Sequence, residues 1–558
     1  MSVSAPGITD WLPDPESYRQ WQARCEAPVI EHWERQYRGR RFDEGWPLIS
    51  VIVPTFNTPV GILEELLDSL SRQFYPRWEA CITDDASTAP EVAETIEAWC
   101  ERDFRFRLQR RSRNGGIAAA SNDALARARG DYVAFVDHDD RLAPHALLMV
   151  AARIRHRGRP GLLYSDSDEL SPEGARCNPF FKPDWNYELF LSQNYLNHLC
   201  VFRRDLVGKV GGLRPQFDRS QDYDLALRVV EEVDPTEIVH LPHILYHWRT
   251  LPSSAARSRL GDAVRKAREA VREHLRRTGR RAGVEPAPGA LLYNRVRWQP
   301  ADAPSASVAA LVYGTGRGAV GRTVKWLERD SFVAQGVVCD GDEPQVPAAE
   351  INHRIQSMDA AVVLLMHAGL TPLEPLLPVQ IAAAALRDDV GIVAPKLVSA
   401  RHCRGPLLLG EVADSERRWA RSAFAGADVA SKGCFGRLVL QQQASAASAA
   451  CLVLRSDAFR RCGGFSSGLS SPALLGADLA LKLADCGLRV IWDPDTILVA
   501  DEALFAALDD PPRPEENAIF GERWPALPAC DRFYNPNLLA GDDSYRLPAR
   551  HPVFDPPA

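Results

Sequence analysis

The stretch DYVAFVDHDDRLAP, residues 131–144, runs an apolar segment directly into three carboxylates, Asp137, Asp139 and Asp140. Like charges crowded this way cost free energy unless a cation or a ligand's donors compensate them. Two earlier segments share the design. LISVIVPTFN (48–57) and WEACITDDAS (78–87) are apolar runs that end in polar turns. Between them TPVGILEELLDSLSRQ (58–73) carries Ile62, Leu66, Leu67 and Leu70 at helical spacing. APEVAETIEAWCERD (89–103) reads as a second helix and FRFRLQRR (104–111) as a third strand. NGGIAAASNDALARARG (114–130) reads as a glycine turn feeding a further helix, with 131–140 as the fourth strand. Strands and helices alternating at this spacing predict an α/β domain with a mainly parallel sheet. Ligands of such sheets sit at the carboxyl ends of the strands. Here those ends are PTFN, DDAS and DHDD, so three polar clusters converge on one edge.

The chain has 558 residues, too many for one ordinary core, which predicts two or three domains. A hydrophobic content of 46% with 25% charged residues is that of a globular protein. A net charge of -7 speaks against a general nucleic-acid binder. The first residues, MSVSAPGITDWLPDPESYRQ, show neither the basic nor the apolar region of a signal peptide. The longest apolar runs, AAVVLL and IAAAAL, fall far short of the roughly 18 residues of a membrane span. Twelve cysteines are scattered without a CxxC pair, so the expectation is a reduced, cytoplasmic protein without a zinc site.

The second half repeats the first imperfectly. LCVFRRDLVGKVGGL (199–213) resembles CLVLRSDAFRRCGGF (451–465), DYDLALRV (222–229) resembles GADLALKL (476–483), and HILYHW (243–248) lines up with TILVAD (496–501). FVDHDDRLAP lines up with VLLMHAGLTP (363–372), which sets Leu365, His367 and Ala368 opposite Asp137, Asp139 and Asp140. Asp222 faces Gly476 and His247 faces Ala500. The Gly-Gly turn and the Asp-Leu-Ala-Leu helix survive in both halves, and the acids do not. The expected organisation is an N-terminal helical extension (1–46), a catalytic domain (47–257), a basic helix and linker (258–300), a degenerate copy (301–510) and a C-terminal tail (511–558).

These ordered motifs, ISVIVPTFN, ITDDAST, RNGGIAAASNDALARARGDYVAFVDHDDRLAP and GGLRPQFDRSQDYDLALRV, resemble glycosyltransferase family 2, the inverting nucleotide-sugar transferases of GT-A fold. The resemblance spans about 47–255, with a degenerate echo over about 305–540 ending in FYNPN. It implies a GT-A domain, duplicated. It implies a nucleoside pocket at Pro54, Thr55, Asn57 and Asp84, with Asp85, Asn114 and Gly115 as further nucleotide contacts. It implies Asp137 at the ribose and metal, and Asp139 as the ligand of Mn²⁺ or Mg²⁺. Asp222 takes the place of the general base and His247 that of a third metal ligand. Asp166, Asp168, Trp185 and Gln221 are weaker choices for the sugar or acceptor side. Each has a plainer alternative: a helix cap for Asp222, a strand histidine for His247, an ordinary turn at Asn114–Gly115, an exposed acidic loop for Asp166 and Asp168, and core packing for Trp185 and Asn194.

The chemistry suits these roles. A hard divalent cation takes one or two carboxylates together with phosphate oxygens. Loss of a nucleoside diphosphate builds charge that such a cation stabilises, and one carboxylate base without a protein nucleophile implies single displacement with inversion. The implied partners are a nucleotide diphosphate sugar, UDP- or dTDP-linked by preference, and a saccharide or lipid-linked acceptor in O-antigen or capsule synthesis. The arginine-rich segment 258–281 reads as a solvated helix, with contact to anionic lipid headgroups as the alternative. From a different class, a nucleotide- or carbohydrate-binding scaffold without turnover also fits. The loop GTGRG (314–318) lacks the Gly-Lys-Ser/Thr of a phosphate loop.

Overall fold

A computed structural model of the chain describes residues 11–250, 260–299, 307–339, 345–410, 419–508, 510–527, 531–538 and 545–548. The apolar runs of the first half become β1 Ile49–Thr55, β2 Trp78–Asp84, β3 Phe106–Arg110, β4 Tyr132–Phe135, β5 Arg141–Leu142, β6 Leu162–Leu170, β7 Arg176–Phe180, β8 Cys200–Arg203 and β9 Ile238–Arg249. They form one sheet in the order β3-β2-β1-β4-β8-β6-β9-β5, with β7 on β6. β3, β2, β1 and β4 run parallel, and β8 lies antiparallel between β4 and β6.

Every residue of β1 and β2 is buried, as expected of parallel strands covered on both faces. Val51 and Val53 face the helix Val60–Ser71, which buries Leu63, Leu66, Leu67 and Leu70. Leu63 takes the core position expected of Ile62, which is only half-buried. Ile52 points the other way, toward Ala118 and Ala124 of the helix Ile117–Ala126. The strand order reverses between β1 and β4, and this opens a crevice at their carboxyl ends.

The second half builds a sheet with the same core order: Val333–Cys339, Val308–Thr315, Val362–His367, Cys451–Arg455, Val390–Val398, Arg489–Val499 and Thr371–Pro372. Its strand directions match those of β2, β1, β4, β8, β6, β9 and β5 one for one. Local details recur as well. Gly211 and Gly212 have φ of 83° and 69°, and Gly463 and Gly464 have 81° and 67°. Asn122 pairs with the backbone of Leu213 at 2.7 and 2.9 Å, and Asn352 with that of Phe465 at 2.8 and 2.9 Å. Asp224 and Asp478 are both fully buried against cations one turn on, Arg228 and Lys482. The ladders also revise the lineup of DHDD. Val133 faces Phe202 as Val363 faces Leu454, so Asp137 and Asp139 correspond to His367 and Gly369, two residues away from the expected partners.

The flanking segments are woven into both halves. Tyr18, Trp21 and Cys25 pack into the core of the second sheet, and Trp33 packs into the core under Trp46. The stretch 258–300 holds more than a helix and linker: after the helix Leu260–Arg277 comes a hairpin, Ala282–Ala287 with Ala290–Trp298. Of the expected helix and linker over 258–300, residues 258, 259 and 300 lie outside the described residues. The helix's cations are largely answered by acids: Arg265 and Lys266 by Asp262, Arg272 and Arg276 by Glu269, and Arg277 by Glu231 and Glu273. That pairing favours a surface helix over a free cationic face. No described helix is long and apolar enough to cross a membrane. The C-terminal residues 531–538 are no loose tail, because Tyr534 and Leu538 lie in the core of the second half.

Candidate functional site

The crevice at the ends of β1 and β4 is a cleft of about 520 Å³, part of it open to solvent. Pro54, Phe135, Asp137, Asn197, His198, Gln221 and Asp222 are among its lining residues. Asp137 comes from the turn after β4, and Asp222 from the first turn of the helix Gln221–Val230. The structure thus brings together two carboxylates 85 positions apart in sequence. Asp137 is pushed up to about 7 by burial, then by the charges of Asp139 and Asp222. Burial also raises Asp222.

Asp222 is held by two amides. Asn194 Nδ2 donates to its Oδ2 at 3.1 Å, and Asn197 Nδ2 donates to the same oxygen. Asn194 therefore belongs to the site and not only to the core, and Asn197 is a site residue that no local motif announces. His198, also on the cleft wall, stacks on Tyr246 with ring centroids 4.7 Å apart.

The DHDD turn divides its labour. Asp140 is fully buried and accepts from the Tyr246 hydroxyl and, at 2.7 Å, from the Arg249 backbone N–H, so it is the structural member. Arg249 Nε donates to the carbonyl of Asp139 at 2.8 Å, and its Nη2 reaches Glu65 at 2.6 Å. Pinned from behind, Asp139 keeps its carboxylate partly open to solvent, with 29% of its side chain exposed and Oδ1 3.9 Å from His138 Nδ1. Asp137 and Asp139 fit a hard cation, which takes one or two carboxylates: burial and crowding by like charge push Asp137 up, and a cation's charge would relieve both. His247 Nδ1 pairs with Asp168 at 2.6 Å, the kind of carboxylate contact that orients a metal-ligating imidazole, and no set of three His, Cys, Asp or Glu side chains is gathered as a metal cage among the described residues.

At the ends of β1 and β2, where the resemblance implies the nucleoside, Asp84 is buried and accepts from the Ser87 backbone at 3.0 Å. Thr55 is buried with its Oγ1 making no hydrogen bond. Asn57 sits at φ 49° and ties the two strand-end loops together by accepting from Thr88. Asp85 has a local occupation. It accepts from Arg111 at 2.8 Å and from the amides of Gly115 and Gly116 at 2.9 and 2.8 Å, while Asn114 Nδ2 donates to its carbonyl at 3.2 Å. Gly116 is at φ 89°, and a side chain there would run into Asp218, whose Oδ1 caps Ala118 at 3.0 Å. Asp85 and the Asn-Gly-Gly turn thus aim the helix Ile117–Ala126 at the cleft.

The weaker choices for the sugar side fall elsewhere, Gln221 apart. Asp166 and Asp168 are buried, not on an exposed loop. Asp168 receives Tyr18 at 2.6 Å, Arg176 at 2.5 Å and His247, which together hold it below the usual carboxylate range against the cost of burial. Asp166 pairs with His240 at 2.9 Å. Trp185 packs in the core beside Phe190.

In the second half the position of the base is closed off: Gly476 stands where Asp222 stands in the first, and the Ala447 carbonyl fills the space a side chain would need.

Residues 50–211 match the family model described as glycosyl transferase family 2. The chain is 33% identical over 569 residues to the uncharacterized protein y4gI of Sinorhizobium fredii, covering 93% of this chain and 61% of that one. It is 31% identical over 552 residues to the O-antigen biosynthesis protein RfbC of Myxococcus xanthus, covering 91% of this chain and 41% of the relative. The chain thus spans between two fifths and three fifths of these relatives' lengths. Among solved structures, residues 1–349 of S. aureus TarS with UDP-GlcNAc align at 22% identity and a TM-score of 0.35, over 41% of this chain and 66% of that one.

Proposed function

Since residues 50–211 match the family model described as glycosyl transferase family 2, we propose that the first-half cleft transfers a sugar from a nucleoside diphosphate to an acceptor hydroxyl, with inversion at C1. The observation that carries this reading is that Asp137 and Asp222 line one cleft, with Asp139 close enough for its charge to raise Asp137. Asp222 takes the acceptor's proton as the acceptor oxygen attacks C1. The bond from C1 to the β-phosphate oxygen breaks, and the nucleoside diphosphate departs. Asn194 and Asn197 fix the plane of the base, which places it for attack from a single direction. Burial raises the carboxylate toward the range in which a general base works best near neutral pH.

A divalent cation, Mn²⁺ or Mg²⁺, would be held by Asp137 and Asp139 and would supply charge neutralisation to the diphosphate. Asp84, Thr55 and Pro54 form the nucleoside end. An aspartate accepting from a pyrimidine N3–H favours UDP or dTDP. The relatives in polysaccharide synthesis support a saccharide or lipid-linked acceptor. The second half, with the position of the base closed off, is a degenerate copy that does not turn over substrate.

Thermal unfolding with UDP, dTDP, GDP and CDP, each with and without Mn²⁺, tests the site on wild type and Asp139→Ala. A nucleotide at 100-fold over its dissociation constant stabilises the folded state by about 2.7 kcal/mol. The expected result is a metal-dependent shift with one nucleotide, lost in Asp139→Ala. Asp222→Asn should keep that shift and lose turnover by about 10²- to 10⁴-fold. No shift with any nucleotide would overturn the transferase reading in favour of a scaffold.

A further inference from the structure

The residues that hold Asp222 belong to a segment whose far side is built by the other half of the chain. Asn186 and Gln443 exchange two hydrogen bonds of 2.8 Å. Ser192 Oγ donates to the Gln441 carbonyl at 3.3 Å, and Gln193 Nε2 to that of Phe435 at 3.3 Å. Phe435 also stacks on Phe180, with centroids 3.8 Å apart.

Behind the tip of this segment lies Lys182, which is fully buried. Its ammonium donates to the carbonyls of Asn197 at 2.9 Å and His198 at 2.8 Å, with Leu196 at 3.5 Å. A buried ammonium must spend its donors on acceptors, and here the acceptors are the backbone that carries Asn197 to Asp222. Lys182 is itself placed by Asp166, whose Oδ1 accepts from the Lys182 backbone N–H at 2.9 Å. The last link comes from the distant C-terminal segment. Asn535 Nδ2 donates to Asp166 Oδ2 at 2.8 Å and to the Lys182 carbonyl at 2.9 Å. Asn537 Nδ2 donates to the Pro242 carbonyl at 2.7 Å and lies 3.4 Å from Asp166 Oδ2. Asn535 is 1% exposed, so its loss would leave a buried carboxylate oxygen and a buried carbonyl without this donor.

We propose that Asn535, on the C-terminal Asn-Pro-Asn turn, is a positioning residue for the first-half site. It acts through Asp166 and Lys182 on the 186–198 segment and hence on the base Asp222. The second half then has a task despite lacking a base of its own: it mounts the clasp and backs the segment that sets the base. This rests on Asp222 being the base, as proposed above.

The test uses the full chain and two readouts. Hydrogen exchange followed by mass spectrometry needs no donor. Asn535→Ala should speed exchange of peptides within 186–199 roughly tenfold, the size of one or two lost hydrogen bonds, and leave 49–57 and 78–88 unchanged. Turnover is then compared with nucleotide affinity, using whichever of UDP, dTDP, GDP or CDP binds with Mn²⁺. Turnover should fall on the order of 100-fold, as misplacement of a catalytic group by about 1 Å does, while nucleotide affinity stays within about twofold. Should Asn535→Ala fail to fold, Asn537→Ala, with its longer bond to Asp166, should show the same pattern in smaller measure. Unchanged exchange at 186–199 would overturn the clasp, as would turnover and nucleotide affinity falling together. Absence of nucleotide binding in wild type would overturn the transferase reading instead, and the exchange result would still decide the clasp.

Discussion

Asp137 is a residue whose protonation the fold controls directly. Burial, then Asp139, then Asp222 lift it to about 7, against about 3.9 in an unfolded chain. The folded chain therefore holds this proton more tightly. The stability it contributes is complete below about pH 4 and is lost as the pH rises through about 7. In metal-free buffer the wild type should lose Tm between pH 5 and 8 more steeply than Asp137→Asn, measured by scanning calorimetry with EDTA present. Mn²⁺ with the bound nucleotide should remove that difference, because a cation reverses the sign of the local field. Equal slopes would mean that Asp137 is charged throughout and compensated by something other than a metal. The carboxylates of this site were legible in the sequence because three acids at the end of an apolar run form a local signal. Their keepers were not. Arg249 reaches Asp139 from 110 positions away, and Lys182 and Asn197 look like any loop residues until the chain closes on itself. The partner of His247 Nδ1, a buried carboxylate on β6, was equally out of reach of a sequence reading.

At the scale of elements, the two halves share strand order, strand direction and glycine turns, yet the second has Gly476 against a backbone carbonyl where the first has Asp222. The alternation of strand and helix was readable because burial on both faces writes continuous apolar runs. The register was not, and the lineup of DHDD slipped by two residues because the second half has no charged landmark there. The closure at Gly476 was equally invisible, since it depends on where the 446–450 backbone lies. The closure makes a sharp prediction. Restoring an acid by Gly476→Asp should create no second active site, because its side chain meets the Ala447 carbonyl. The substitution should lower stability by about 1–3 kcal/mol, as overpacking does, and give no turnover on an Asp222→Asn background. Denaturant unfolding and nucleotide release measure the two effects. Turnover regained in the double variant would show that the 446–450 segment moves aside and that the second half is competent.

For the whole molecule, the question is what keeps the two halves in one geometry. The seam has an ionic centre. Glu188, 1% exposed, receives Arg387 at 2.6 and 3.1 Å and lies 3.3 Å from Arg489, and both arginines also face Asp389. Arg387 lies 4.0 Å over the Trp298 ring. Glu188 sits on the helix Tyr187–Ser192, which leads directly into Asn194 and Asn197. Breaking a buried pair from one side leaves a charge without its counter-ion and typically costs about 3–5 kcal/mol. Asp389 remains beside the arginines, so Glu188→Gln should cost about 3 kcal/mol, near the lower end of that range. Because the pair is shielded from solvent, the loss should be the same in low salt and at about 0.5 M, unlike that of an exposed pair. The same substitution should reduce turnover, since it loosens the seam on the segment that holds Asp222. Urea unfolding at two salt concentrations, with turnover measured on the same samples, checks both. A loss of stability with turnover intact would mean that the seam joins the halves without reaching the base. The 186–198 segment would then be set by Lys182 and the C-terminal clasp alone.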